Sequence, residues 1–378
     1  MSAAEALARA MIGDPGSRFR VPTPALILDE AALDANIARM ADRARGKVAL
    51  RPHAKTHKCS WIARKQIAAG AVGVCCAKVG EAEALSAAGV RDILLTSPVV
   101  DPEMPGRLCD VAAVDPGFAC VVDHPDPVSA LAKKASDRGT SIKVVIDIDV
   151  GLMRTGVSGT TEALRLADHI QQQPPVTLAG VQGYGGHWQH IAGFEARRDA
   201  VRTGMDVLAG VVEALGSAGH HIEIITGGGT GTVQADLEIG LLNELQPGSS
   251  VFMDAQYRDA MGDDADGAFR TSLLVSTQVI SINAGPIVTV DAGLKAFATD
   301  GPPPRPTGAR FVGSTYGFFG DEHGALTRPA GAPIGLGERV ELVTPHCDPT
   351  VDRYDAYHVV HEDTLAAIIP IEAARASR

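Results

Sequence analysis

The chain has no apolar run long enough to span a bilayer. Its longest are strand-sized, against the roughly 20 residues a membrane helix needs. It has no basic cluster either. Lys and Arg number 34 against 45 Asp and Glu, a net charge of −11. That balance argues against nucleic acid and membranes as partners. The six cysteines, at 59, 75, 76, 109, 120 and 347, lack CxxC or zinc-finger spacing, so they are expected as reduced thiols in a cytoplasmic protein. A signal-peptide pattern is missing, because Glu5, Arg9, Asp14 and Arg18 interrupt the first twenty residues. Glycine (41) and proline (23) are plentiful, but they follow no Gly-X-Y period and join no Ser/Gln tract, which excludes collagen-like and disordered classes. What is present is 378 residues, 45% apolar and 21% charged. This suits one large α/β domain, or a large domain with a smaller one.

Apolar, β-branched runs recur at 25–28, 48–50, 72–77, 93–95, 119–122, 144–148, 178–181 and 222–225. Helix-like stretches lie between them. Leu33, Ile37 and Met40 sit at i, i+4 and i+7, with Asp29 placed to cap that helix. Segments 62–69, 81–88, 128–137, 162–172 and 195–215 show a similar pattern. Strands alternating with helices predict a parallel sheet, and eight strands close a TIM-type (β/α)8 barrel, with a doubly wound open sheet as the competitor. After about residue 265 the helical period fades until the last residues. Runs at 273–282, 287–290, 339–343 and 357–360 read as strands, and the 302–306 proline cluster as a turn. The expected organisation is α/β: a barrel over 22–262, then a smaller all-β domain from 1–21 and 263–378.

Three constellations carry chemistry. The first, Arg51-Pro52-His53-Ala54-Lys55-Thr56-His57-Lys58, follows the second run. Side chains alternate along an extended chain, so Arg51, His53 and Lys55 are expected on one face. Basic groups pointing into a barrel mouth are costly unless a ligand needs them. A lysine held there by like charges would lose its proton more readily and could form an imine with an aldehyde. The second, Thr226-Gly227-Gly228-Gly229-Thr230-Gly231-Thr232, follows the eighth run and suits a phosphate through converging backbone N–H groups. It is neither a Walker loop nor GxGxxG. The third is Pro345-His346-Cys347-Asp348-Pro349. A residue before proline is pushed toward extended geometry, so His346 and Asp348 would face one side and Cys347 the other. That mixed N/O pair fits Mn2+ or Mg2+ with open water positions, and Zn2+ less well. Read alone, the three are equally a solvated basic loop, a glycine turn and a His–Asp hydrogen bond. Smaller features sit at other strand ends: Arg154 after the sixth run, and Tyr184 and His187 after the seventh. Asp321-Glu322-His323 is either a second polar cluster or a turn.

These stretches, with VGVCCAKVGEAEA (72–84), DIDVGLMRTGV (147–157), GVQGYGG (180–186), NELQPGSSVFMDAQY (243–257) and VDAGLKA (290–296), run in order along nearly the whole chain. Together they resemble the D-threonine aldolase and D-serine dehydratase-like family of the alanine-racemase-type fold. The resemblance implies a homodimer that binds pyridoxal 5'-phosphate, with Lys55 as the Schiff-base lysine and Lys58 and Lys295 as rivals. It implies Gly228, Gly229 and Thr230 around the phosphate with Tyr257 nearby, Arg154 and Tyr184 at the cofactor ring, and a divalent metal on His346 and Asp348. Dehydratases of the family resemble His-X-Cys and aldolases His-X-Asp. Asp348 therefore implies an aldolase acting on small D-3-hydroxy amino acids. The candidates for its base are His53, His187 and a metal-bound hydroxide. D-serine or 3-hydroxyaspartate dehydration is the alternative on the same scaffold. A non-catalytic pyridoxal-phosphate-binding protein is the alternative of another class. Ala77 and Gly80 depart from the glutamine and serine common in relatives.

Overall fold

In a computed structural model of the protein, residues 3–262, 269–283, 285–328 and 333–376 are described. The chain forms two compact units: Met1–Arg39 with Ser249–Ala374, and Met40–Gly248 with Arg375–Arg378. Residues 22–39 and 249–262, expected with the barrel, group instead with the β-rich unit. The boundary expected at 262/263 adjoins residues outside the described ones.

The first strand, β1 (Ala25–Asp29), is not part of the barrel. The barrel sheet consists of β2 (Ala49–Leu50), β3 (Val74–Cys76), β4 (Ile93–Leu95), β5 (Ala119–Val122), β6 (Ile142–Ile148), β7 (Val176–Gly183), β8 (Ile224–Gly227) and β9 (Glu244–Leu245). Among the described residues they run in the order β2-β9-β8-β7-β6-β5-β4-β3, every pair parallel. The sheet closes where Val72 N–H donates to Leu50 O and Cys75 N–H to Pro52 O, both at 2.8 Å, beside a parallel bridge between His53 and Cys75. A helix lies between each successive pair: Ser60–Ala68, Val79–Ala87, Met104–Val114, Pro125–Arg138, Thr160–Gln171, Phe194–Ser217 and Val233–Ile239.

Local sequence sets these ends. Pro125 opens its helix, where its missing N–H is no loss, and His124 Nδ1 accepts the Asp126 N–H at 3.2 Å. Gly139 at φ 61° ends it in the left-handed region. Gly180 sits where the β6–β7 register shifts, and a Cβ there would lie 2.0 Å from Ile224 O. One apolar cluster takes Cys75, Leu94, Ala119, Val121, Val145 and Ala179 from successive strands, with Ile224 packed against it.

β1 pairs antiparallel with β10 (Leu273–Ser281). The β-rich unit continues with β11 (Ile287–Val290), β12 (Arg305–Pro306), β13 (Tyr316–Phe318), β14 (Gly324–Thr327), β15 (Arg339–Val343), β16 (Ala356–His361) and β17 (Thr364–Pro370). β16 flanks β1 in parallel on its other edge. Ala25, Leu26, Ile27 and Leu28 are all buried, so β1 reads as a continuous apolar run like a barrel strand. The true eighth barrel strand, β9, is two residues long and carries Glu244, which no hydrophobic pattern reveals. The expected count of eight holds, but its membership does not. Thr364–Pro370 form β17, and the described residues after it, 371–376, form no helix. Asp29 does cap the helix Glu30–Ala44, its Oδ1 accepting Ala32 N–H at 2.9 Å.

Arg51 does not share a face with Lys55. Its guanidinium donates Nε to Glu244 Oε2 at 2.9 Å and reaches the Asp92 carbonyl. Burial opposes its charge, but the adjoining carboxylate more than offsets this and holds its pKa above the ordinary value. The pair ties β2's continuation to β9 inside the barrel. Arg51→Met should destabilise the protein by about 3 kcal/mol or more, because it strands a buried carboxylate. Adding Glu244→Leu should recover part of that loss. Urea unfolding of both variants checks this, and equal loss in the single and double variants would contradict it.

Candidate active site

Lys55 stands two residues past His53, where the extended backbone (φ −84°, ψ 105°) gives way to a single 3-10 turn, Ala54–Thr56. The strand alternation expected through position 55 therefore stops at His53. Lys55 lines a cavity of about 360 Å³ with His53, Ala77, Thr96, Ser97, Arg154, Thr155, Gln182, Tyr184 and Gln246. Each lies at or just past the carboxyl end of β2, β3, β4, β6, β7 or β9, the end where barrel enzymes build active sites. The rival lysines are placed elsewhere. Lys58 Nζ is 2.5 Å from Glu81 Oε1 with both side chains largely buried, and Lys295 is exposed and paired with Glu322 in the β-rich unit.

The walls are specific. Arg154 is exposed, with its guanidinium carbon 5.5 Å from the centre of the Tyr184 ring. His53 Nε2 lies 3.0 Å from Thr96 Oγ1, and Thr96 Oγ1 itself donates to Cys76 O at 3.1 Å. The hydroxyl must then accept from the ring, which assigns Nε2–H to His53, while Nδ1 accepts the Lys55 N–H at 3.4 Å. His187 lies outside the cavity lining, exposed, with its ring 5.0 Å from that of Trp188.

The glycine loop follows β8, at the same end of the barrel. Gly228, Gly229 and Thr230 are all buried. Gly228 has φ 68°, and a Cβ there would lie 2.4 Å from Asp236 Oδ2, so backbone strain and crowding both select glycine. The Gly229 amide donates to Thr232 Oγ1 at 3.0 Å, and the Gly231 amide to Gln189 Oε1 at 2.9 Å. Thr232 Oγ1 in turn donates to Asp236 Oδ2 at 2.7 Å. Two of the loop's amides thus hold its shape.

The remaining expected residues lie in the β-rich unit. His346 is extended (φ −140°, ψ 124°), but Cys347–Val351 is a short helix with Asp348 in its first turn. The expectation that Asp348 is extended fails, because a proline one turn into a helix loses no hydrogen bond. His346 Nδ1 lies 2.8 Å from Asp300 Oδ2. Taken as the N–H, it leaves Nε2 as the acceptor, the arrangement carboxylate-backed metal histidines use. Among the described residues no three His, Cys, Asp or Glu converge as metal ligands, so a cation would rest on two protein groups plus water. Sequence reading missed Asp254, which accepts the Tyr257 N–H and the Cys347 N–H, each at 2.9 Å. This fully buried carboxylate holds the Tyr257 helix against the His346 segment. Asp321-Glu322-His323 proves to be the turn between β13 and β14, with Phe319 N–H donating to His323 O.

Residues 28–256 match the family model described as alanine racemase, N-terminal domain, and residues 272–360 match a "Putative serine dehydratase domain". The chain belongs to the alanine racemase N-terminal domain family. A D-threonine aldolase from Arthrobacter sp. is 39% identical over 368 residues, 97% of this chain and 96% of that one. A 3-hydroxy-D-aspartate aldolase from Paracoccus denitrificans (strain Pd 1222) is 34% identical over 93% of this chain and 92% of the other. A D-threo-3-hydroxyaspartate dehydratase from Delftia sp. (strain HT23) is 29% identical over 90% and 94%. The crystal structure of D-threonine aldolase from Filomicrobium marinum superposes with a TM-score of 0.90 at 36% identity, covering 94% of this chain and 97% of that one.

Within this alanine racemase-type barrel, sequence reading missed the polar residues behind the cavity. Gln182 Nε2 donates to Asp147 Oδ1 at 2.9 Å, and Thr155 Oγ1 donates to Asp147 Oδ2 at 2.7 Å. Burial pushes the Asp147 carboxyl up, and these two donors work against that shift. The available signal was a charged or amide residue at the last positions of otherwise apolar strands.

Asp236 is displaced further. Burial raises its pKa to about 7, opposed only by the Thr232 hydroxyl. A carboxyl raised above its unfolded value binds a proton more tightly when folded. Its stabilising contribution is present below pH 4 and is lost as pH rises through 7. Asp236→Asn should therefore match the apoprotein at pH 4 and exceed it at pH 8, by up to about 4 kcal/mol. Denaturant unfolding at the two pH values checks this, and a pH-independent difference would count against it.

Proposed function

We propose that this protein is a pyridoxal-phosphate- and divalent-metal-dependent lyase that cleaves D-3-hydroxy amino acids of the D-threonine type to glycine and an aldehyde. One observation carries the cofactor reading: Lys55, unlike Lys58 and Lys295, lines the cavity at the strand ends. The site fits pyridoxal phosphate in three respects. The cavity volume lies within the range of small-molecule sites. An amine stands in its wall, and a buried glycine loop lies at the same barrel end. The relatives named above support the substrate class. When bound, pyridoxal phosphate supplies an electron sink for the bond broken at the substrate Cα.

The chain's own residues then have defined tasks. Lys55 would hold the cofactor at its aldehyde carbon. Arg154 and Tyr184 would wall its ring, and the loop at Gly228, Gly229 and Thr230 would take its phosphate, with Tyr257 assigned to the same group. His346 Nε2 and the Asp348 carboxylate would hold the metal, an N/O donor set suited to Mn2+ or Mg2+. Such an ion would supply positive charge for the substrate hydroxyl oxygen. Of the two histidines expected as base, His53 has both ring nitrogens bonded and acts as an orienting group. His187, exposed beside Trp188, is the histidine we assign as base. The same reading includes a homodimer, and a cytoplasmic location in keeping with six buried cysteines that form no disulfide.

The second reading, dehydration of the same substrates, is favoured by the Delftia relative. D-Threonine with Mn2+ should release glycine and acetaldehyde. Release of ammonia and 2-oxobutanoate would establish the dehydratase instead, and bound cofactor without turnover would establish a binding protein. Lys55→Ala should abolish both the visible absorbance of bound pyridoxal and its fixation to protein by borohydride. Asp348→Ala should keep the absorbance and lose more than roughly 100-fold in turnover. Full activity of Asp348→Ala without added metal would overturn the metal assignment.

A further inference from the structure

We infer that Gln246 is a ligand-recognition residue whose Oε1 is presented to the Lys55 cavity as a hydrogen-bond acceptor, its direction fixed from behind by Asp147. The inference rests on the reading of this cavity as the pyridoxal-phosphate site.

The argument is one of polarity passed along a chain. Gln182 and Gln246 each carry one acceptor and one donor end, and either could in principle be turned round. Their surroundings remove that freedom. Asp147 Oδ1, as a carboxylate oxygen, accepts, so the Gln182 atom 2.9 Å away must be its NH2. The same NH2 reaches the Thr96 carbonyl at 3.3 Å, a second group that can only accept. Gln182 Oε1 is thereby turned toward Gln246 and can only accept. Gln246 Nε2 meets it at 3.1 Å and also donates to Thr226 Oγ1 at 3.0 Å. Both N–H groups of Gln246 are then committed to the wall.

What remains of that amide is its oxygen. Gln246 lines the cavity although it is only 4% exposed, and its Oε1 makes no hydrogen bond among the described residues. It is also absent from the buried side-chain atoms that lack partners, so the cavity itself is what it faces. A rigid, preoriented acceptor in a mostly enclosed site selects a ligand carrying an N–H or O–H donor there, and penalises one that leaves it unpaired. Two donors are chemically suited: the protonated ring nitrogen of pyridoxal phosphate, and the hydroxyl or ammonium group of the amino acid.

Gln246→Met deletes the acceptor at nearly constant volume. Asp147→Asn lets the second amide in the chain reverse without touching the cavity. If the cofactor carries the donor, Gln246→Met should weaken pyridoxal-phosphate binding to apoprotein about tenfold by equilibrium dialysis. If the substrate carries it, cofactor affinity should stay as in wild type while KM for D-threonine rises about tenfold at near-constant kcat. Asp147→Asn should reproduce whichever split is seen, at a smaller size, with thermal unfolding near that of wild type. Wild-type cofactor affinity and KM in Gln246→Met would overturn the inference while leaving the function reading intact. Failure of the wild-type protein to bind pyridoxal phosphate would overturn the function reading, and this inference with it.

Discussion

Closure of the barrel constrains residues 50–53 from both sides. The continuation of β2 must pair with β9 on one side and with the 72–75 segment on the other, or the sheet has two open edges. Arg51 meets this demand from inside, bonding to Glu244 of β9 and to the backbone before β4. Pairing ends at the His53–Cys75 bridge, and the chain can leave the sheet only after it. Lys55 consequently emerges two residues later, on a short 3-10 turn at the barrel mouth. The position of the amine is a product of closure. It does not depend on a basic stripe along one strand face.

Much of this was legible in the sequence through residue types at fixed spacing. The stretches 51–58, 226–232 and 345–349 marked segments that the structure makes special, and Lys55 could be preferred among three lysines before any coordinates. Arguments from alternation were the weaker ones. Alternation placed Arg51 beside Lys55 by assuming that the strand continues, and the pre-proline restriction made Asp348 extended. A 3-10 turn and a five-residue helix intervene, and each is too short to leave a periodic trace. The exchange of β1 for β9 has a similar cause. Burial on both faces makes a central strand of a mixed sheet read like a barrel strand, whereas a two-residue strand with a charged end has no pattern.

The glutamine and carboxylate positions behind the cavity illustrate what composition cannot convey. Gln182 and Gln246 lie 64 positions apart and meet only because β7 and β9 flank β8 in the closed sheet. Their direction is set by two groups that can only accept, the Asp147 carboxylate and the Thr96 carbonyl, and a third, the Cys76 carbonyl, sets the Thr96 hydroxyl. The carbonyls come from ordinary strand ends and carry no sequence signature. The same anchors dictate the His53 tautomer, because the Thr96 hydroxyl spends its proton on Cys76 O. A single polarity therefore runs round the wall from β3 to β9.

The glycine loop follows another logic. A phosphate cradle needs amides pointing at one spot, yet the Gly229 and Gly231 amides are bonded to Thr232 and Gln189. Those bonds fix the loop's shape before any ligand arrives, which lowers the ordering cost of binding. Asp236 sits behind this lattice as the acceptor for Thr232, with burial favouring its neutral form. A neutral acid there would suit the phosphate proposed for this loop, since a second fixed negative charge would oppose it. The glycines thus serve the geometry of a loop held from behind by Gln189, Thr232 and Asp236.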